Sequence, residues 1–221
     1  MLSNLEIQAL QQRITQQGAT LVAVTKTHPI STLQQAYQAG LRIFGENKVQ
    51  EMCEKQAQLP TDIQWHLIGH LQTNKVKYIA PFVQLIHSVD SWKLLEEINK
   101  RAAQNQRTID CLLQMYIAQE ETKFGLSLEE AQEILHNLLR VQLQNVKIVG
   151  LMGMASFTEN KDQIRQEFKQ LKQYFEVLKN TVQPEMKILS MGMSSDWQIA
   201  LEEGSNMVRI GSSIFGNRKI T

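Results

Sequence analysis

A chain of 221 residues, 43% hydrophobic and 20% charged, has the size and composition of one globular domain with a real core to bury. Its 23 Lys and Arg against 22 Asp and Glu leave a net charge of +1, which gives no electrostatic ground for a nucleic acid or an anionic membrane as partner. The polar N-terminus lacks the apolar stretch of a signal peptide, and no apolar run approaches the ~20 residues of a transmembrane helix. The cytoplasm is therefore the expected compartment. Cys53 and Cys111 show neither CxxC nor zinc spacing and are expected to be free, buried thiols there.

A leading helix is predicted at about 2–17. From there, short apolar, β-branched runs alternate with stretches of helical period. Strands are predicted at 21–26, 42–45, 64–68, 83–89, 110–117, 148–155, 187–190 and 208–211, and helices at 32–39, 49–58, 74–79, 92–105, 128–139, 162–179 and 197–203. Ser31, Ser91 and Ser127 stand where N-caps belong, because a hydroxyl accepts from an unpaired helix N–H. Gly40 and Gly204 follow two of the helices, where a left-handed turn suits glycine.

Strands alternating with helices imply parallel pairing and right-handed crossovers. A closed barrel and an open doubly wound sheet compete. The eight predicted strands favour the barrel. The turn Lys26-Thr27-His28-Pro29 also lacks the glycine that an open nucleotide-binding sheet wants after its first strand. No linker or low-complexity stretch interrupts the chain. Residues 1–221 thus read as one α/β domain, a (β/α)8 TIM barrel with an extra N-terminal helix.

In such barrels chemistry collects at the C-terminal ends of the strands, and phosphate often binds in the loops after strands seven and eight. Strand one is predicted to end in Lys26, on the face of Val22 and Val24. Facing inward, its ammonium would be partly desolvated and freed as a nucleophile able to form a Schiff base; alternatively it snorkels from the rim into water. After strand seven, Ser194 and Ser195 precede a helix beginning near Trp197, which suits either an anion or plain capping by Ser195 or Asp196. Strand eight runs into Arg209, Gly211, Ser212 and Ser213, where a glycine allows close backbone approach and the serines open a short extra helix. Arg209 shares a face with Met207 and Gly211 and needs an acceptor, whether a carboxylate or a ligand heteroatom.

The remaining polar positions divide more evenly. Glu46 and Asn47 follow strand two, and Asn47 serves either a ligand oxygen or the cap of the next helix. His66 and His70 have i,i+4 spacing but fall on a strand end and a loop, so no metal is expected. Lys123 is a second basic group near the mouth. The Met-rich segment 151–154 reads as core filling.

The motifs AVTKTHP (23–29), FGENKVQE (44–51), WHLIGHLQTNK (65–75), KFGL (123–126) and MGMSSDWQIALEEGSNMVRIGSSIFG (191–216) resemble, in order and over nearly the whole chain, the pyridoxal-phosphate homeostasis family (YggS/PROSC). The resemblance implies a barrel similar to the N-terminal domain of bacterial alanine racemase. It implies pyridoxal 5′-phosphate as cofactor, held as an internal aldimine on Lys26. Phosphate contacts would come from Ser194, Ser195, Gly211, Ser212 and Ser213, and Arg209 would stand beside the pyridine nitrogen. It further implies a carrier or regulator of this vitamer without established turnover, with apo enzymes of the same cofactor as its recipients.

A permanently charged arginine favours an unprotonated pyridine nitrogen and weakens carbanion stabilisation, although alanine racemase works with one. About ten residues follow the eighth strand, so neither a second, β-rich domain nor a partner's tyrosine base is expected, and a monomer is. The alternatives kept open are a weak single-domain amino-acid racemase and a Schiff-base barrel enzyme acting on a phosphorylated metabolite.

Overall fold

The computed structural model describes residues 1–118 and 125–216. A leading helix, α1 (Asn4–Gln16), precedes β1 (Thr20–Val24), α2 (Ile30–Gln38), β2 (Ile43–Glu46), α3 (Val49–Gln56) and β3 (Gln64–Leu67). A 3-10 turn at Thr73–Lys75 then runs into α4 (Val76–Ile79), followed by β4 (Leu85–Val89), α5 (Trp92–Gln104), β5 (Ile109–Gln114) and α6 (Leu128–Val141). Next come β6 (Val146–Met152), α7 (Lys161–Thr181), β7 (Ile188–Ser190), α8 (Trp197–Glu202), β8 (Met207–Ile210) and the short α9 (Ser212–Phe215). The strands pair in parallel in sequence order and β8 closes onto β1, which is the expected (β/α)8 barrel with its extra N-terminal helix.

Local chemistry sets many of the boundaries. Ser127 and Glu130 form a reciprocal capping box on α6, as Ser3 and Glu6 do on α1, and Ser91 accepts from Leu94 N–H. Gly40 and Gly204 carry φ of +103° and +92°, as their places after helices require. Ser31 is not a cap: α2 begins at Ile30 with Pro29 at the N-cap position, because the fixed φ of proline presets the first turn. β1 and β5 end sooner than their apolar runs suggest. The chain turns after Val24, and Met115, past the end of β5, forms an isolated bridge to Leu126.

Two apolar layers hold the fold. The larger lies between barrel and helices and includes Phe44, Leu67, Ile86, Leu113 and Phe168. The smaller fills the barrel interior with Val22, Leu85, Leu112, Val149, Met152 and Met207. Cys111 is buried as expected, whereas Cys53 is only half-buried, since α3 turns it toward the flank of Tyr78. In the Met-rich segment Leu151 and Met152 are core, but Met154 is exposed, lying past the end of β6.

Candidate functional site

The interior is layered by strand alternation. Side chains two residues apart share a face, so a polar layer can stand on the interior plug one step nearer the C-terminal mouth. His87 stands above Leu85, Arg209 above Met207, and Ser190 above Ile188, which packs partly on the plug. His66 joins them from β3. All four are buried, and they are hydrogen-bonded in one chain.

Arg209 donates through one terminal nitrogen to the Ser190 hydroxyl at 2.7 Å and carbonyl at 2.9 Å, and through the other to the Gly153 carbonyl at 3.0 Å. The acceptors are thus a hydroxyl and two carbonyls, where the sequence left open a carboxylate. Ser190 Oγ lies 3.1 Å from His87 Nδ1, and His87 Nε2 lies 3.1 Å from His66 Nδ1. Guanidinium only donates. The Ser190 hydroxyl has no other acceptor among the described residues, so its proton goes to His87 Nδ1. His87 then carries its own proton on Nε2 and donates it to His66. Burial supports neutral rings: it pulls the His66 imidazole down to about 3, and it lowers His87 with help from His66 and Arg209. Burial also draws Arg209 down to about 10, opposed by the charge of Asp196, which leaves the guanidinium charged at neutral pH. Arg209 Nε–H makes no hydrogen bond among the described residues.

Above this layer sit the loops. Lys26 is half-buried and lies in the turn two residues beyond β1, where the sequence reading had it closing the strand. Val22 points into the barrel as expected. The register pairs Val22 with Arg209 and Ala23 with Ile210, so the Lys26 turn adjoins the loop after β8. A Cβ added to Gly211 would lie 3.1 Å from the Val24 carbonyl oxygen, which measures how tightly the two strand ends meet.

The loops after β7 and β8 are joined. Ser194 Oγ accepts from Gly211 N–H at 3.2 Å and from Ser213 N–H at 3.4 Å, while the Ser213 hydroxyl donates to the Ser194 carbonyl at 3.4 Å. Ser195, Ser212 and Ser213 are exposed. Gly192, with φ of +97°, lets the first loop fold down onto Ala200 and Trp197. Asp196 is the N-cap residue of α8 but makes no side-chain cap bond. It is buried and accepts instead from Met193 N–H at 2.6 Å, and burial raises its carboxyl against that bond and the charge of Arg209.

Asn47 is half-buried, and its backbone packs so closely on Gly69 that a Cβ there would lie 2.5 Å from the Asn47 carbonyl oxygen. α3 starts at Val49 with Lys48 as its N-cap residue and no side-chain cap bond, so Asn47 is not spent on capping. His66 and His70 do not converge: His66 is interior, while His70 is exposed beside Asp90. Lys123 lies outside the described residues.

The fold and these loops define a class. Residues 4–219 of this closed parallel barrel match the family model of the alanine racemase N-terminal domain. More particularly, the chain belongs to the pyridoxal phosphate homeostasis protein family. The Aquifex aeolicus member is 42% identical over 202 residues, covering 91% of this chain and 88% of that protein. The Haemophilus influenzae member is 36% identical, covering 92% and 86%. Among solved structures, PipY of Synechococcus elongatus is 36% identical and covers 95% of this chain and all of that one. Its form without PLP superposes with a TM-score of 0.87, and its form with PLP bound with 0.84. Alanine racemase of Bartonella henselae shares the fold at 16% identity and a TM-score of 0.69, this chain covering 62% of it.

Sequence reasoning missed His87, Ser190, Glu51 and Lys55. His87 and Ser190 are single polar residues inside apolar runs. The i,i+4 spacing of Glu51 and Lys55 was visible, but not the burial of the pair.

Proposed function

We propose that this chain binds pyridoxal 5′-phosphate through Lys26 and takes part in its intracellular homeostasis as a carrier, without turning over a substrate. One observation carries the reading. The β1–β8 register sets the lysine-bearing turn beside the loop whose Gly211 and Ser213 N–H groups converge on Ser194 Oγ. An amine and a cluster of anion-ready donors then share one mouth.

The donor set fits the group. Ser194, Ser195, Gly211, Ser212 and Ser213 would hold the phosphate through hydroxyls and backbone N–H groups, which suit an anion better than bulky side chains would. Arg209, held by Ser190 and Gly153, would present its remaining Nε–H to the pyridine nitrogen. Asn47, uncommitted to a helix cap, would donate to the ring oxygen side. When bound, the cofactor supplies an aldehyde that condenses with a primary amine, and a ring that can act as an electron sink.

The protein weakens that sink. A charged guanidinium donating to the ring nitrogen disfavours its protonation. The neutral His87 and His66 beneath it offer no acid. Exposed serines leave the phosphate end within reach of water, which suits exchange and delivery better than a sequestered proton transfer. The relatives' name, pyridoxal phosphate homeostasis protein, supports the same reading. We take residues 1–221 as a single cofactor-binding domain that acts as a cytoplasmic monomer, with apo enzymes of this cofactor as recipients. No described helix is long and apolar enough to cross a membrane.

Borohydride reduction of protein loaded with pyridoxal phosphate, followed by peptide mass spectrometry, tests the site: the added mass is expected on Lys26. Absence of uptake, or modification at another lysine, overturns the assignment. Chiral chromatography of L-alanine incubated with loaded protein tests the rest, and racemisation faster than with free cofactor would make the chain an enzyme.

A further inference from the structure

We infer that Glu51 and Lys55 are positioning residues that clamp the turn carrying Lys26, an inference that rests on Lys26 being the amine that receives the cofactor. Both sit on α3, four residues apart, behind the wall of the barrel. The Lys55 ammonium is buried and uses its three donors at 2.7 Å each: on the Thr25 carbonyl, on Glu46 Oε1 and on Glu51 Oε1. Thr25 also donates its hydroxyl to Glu46 Oε1 at 2.5 Å. On the other side of Lys26, Thr27 N–H donates to Glu51 Oε1, again at 2.5 Å. The residues before and after Lys26 are therefore both tied to one helix, while Lys26 lies between them.

The clamp has a reason to exist. Thr27 has φ of +68°, a left-handed conformation that β-branched residues rarely adopt. Without a bond to its N–H, the turn would relax and swing the Lys26 Cα. His28 N–H closes the turn on the same Thr25 carbonyl that Lys55 holds, at 3.1 Å. A lysine side chain is long and freely rotating, so the place of its Cα decides whether its amine meets an aldehyde fixed by a distant phosphate. A buried ammonium with three acidic or carbonyl acceptors is a costly element, and here its three hydrogen bonds go to this turn or to the carboxylates that hold it. Both glutamates of the segment FGENKVQE (44–51) thereby have a task.

The test compares two ligands on variants of Glu51, whose side chain is 22% exposed and whose loss a helix surface tolerates. Glu51→Ala is expected to slow the growth of the lysine-bound cofactor's absorbance in excess pyridoxal phosphate about tenfold, the weight of one charge-assisted hydrogen bond. The same variant is expected to bind pyridoxine 5′-phosphate, which carries the phosphate but no aldehyde, within about twofold of wild type. Glu51→Gln keeps an oxygen acceptor for Thr27 N–H and is expected to recover most of the lost rate. If Glu51→Ala fails to fold, Lys55→Gln carries the same comparison, since Glu46 can take up a proton once its cation is gone. Capture by the alanine variant at the wild-type rate, or equal loss of both ligands, overturns the inference. Wild-type protein that captures nothing at Lys26 overturns instead the reading of the site on which it rests.

Discussion

Arg209 donates to the Ser190 hydroxyl at 2.7 Å, and that contact orients the protons of Ser190 and His87 behind it. Because the arginine cannot accept, the serine proton must go to His87 and the His87 proton to His66. Ser190→Ala removes the acceptor of one bond and the donor of the next, both in a dry interior. Arg209 keeps the Ser190 and Gly153 carbonyls, so the larger loss falls on His87 Nδ1, left without a donor. The expected cost is about 1–3 kcal/mol of stability, read from urea unfolding at neutral pH. Ser190→Thr keeps the hydroxyl and is expected to recover much of it. A loss of only a few tenths of a kcal/mol for the alanine variant would show that the chain carries little energy.

The same chain makes stability depend on pH in a stated direction. His66 is neutral when folded, its value lowered from 6.5 to about 3 by burial, and His87 is lowered in the same sense. Below pH 6.5 the unfolded chain takes up protons that the folded one refuses. Stability is therefore full above that pH and lost as pH falls toward 3. His66 contributes about 1.4 kcal/mol per pH unit within that window, and His87 acts in the same direction. Unfolding midpoints at pH 7.5, 6.0 and 5.0 are expected to fall in that order, and His66→Gln is expected to flatten the trend. Midpoints that rise on acidification would contradict a neutral, buried pair.

The barrel was legible because eight apolar runs alternate with amphipathic stretches, a pattern that burial on both sheet faces enforces. The serine loops were legible because their residues are polar and adjacent in sequence. The polar layer was not. His87, Ser190 and Arg209 come together only through barrel register, which sets Val22 beside Arg209 and Met152 beside Ser190, and no local pattern encodes which strands share a height. The turn at Lys26 was misread for a related reason. Strand propensity runs on through Thr25, while the clamp from α3 that bends the chain there lies some thirty residues away, with Lys55 reaching the Thr25 carbonyl.

Two glycines separate a structural role from a binding one. A Cβ on Gly150 would lie 1.8 Å from the Ile188 carbonyl oxygen, an overlap that only a shift of the β6–β7 seam relieves. Gly150→Ala is expected to cost about 3 kcal/mol or more, and to lower the soluble yield. Gly211→Ala meets the Val24 carbonyl oxygen at 3.1 Å, with φ of −121° that any residue adopts. Its cost in stability is expected to stay below about 1 kcal/mol, while pyridoxal phosphate retention falls because the methyl group crowds the seam between the Lys26 turn and the phosphate loop. Thermal unfolding and equilibrium dialysis of both variants distinguish the two effects. The assignment fails if Gly211→Ala holds the cofactor as well as wild type.

Lys26→Ala separates capture from anion binding. The variant keeps Ser194, Ser195, Gly211, Ser212 and Ser213 and the hydrogen bonds of Arg209 to Ser190 and Gly153. The absorbance of lysine-bound cofactor is expected to vanish, and borohydride to leave no added mass. Pyridoxal phosphate should still bind, but reversibly and more weakly, since the phosphate donors remain and the covalent link does not. Pyridoxine 5′-phosphate, which cannot form that link, is expected to bind the variant within about twofold of wild type. Lys26→Arg should behave as the alanine variant does, because a guanidinium keeps its charge but is no nucleophile at neutral pH. If the lysine-bound spectrum survives in either variant, another amine receives the aldehyde. If pyridoxine 5′-phosphate is lost together with the spectrum, Lys26 holds the shape of the mouth, and the separation of capture from anion binding is overturned.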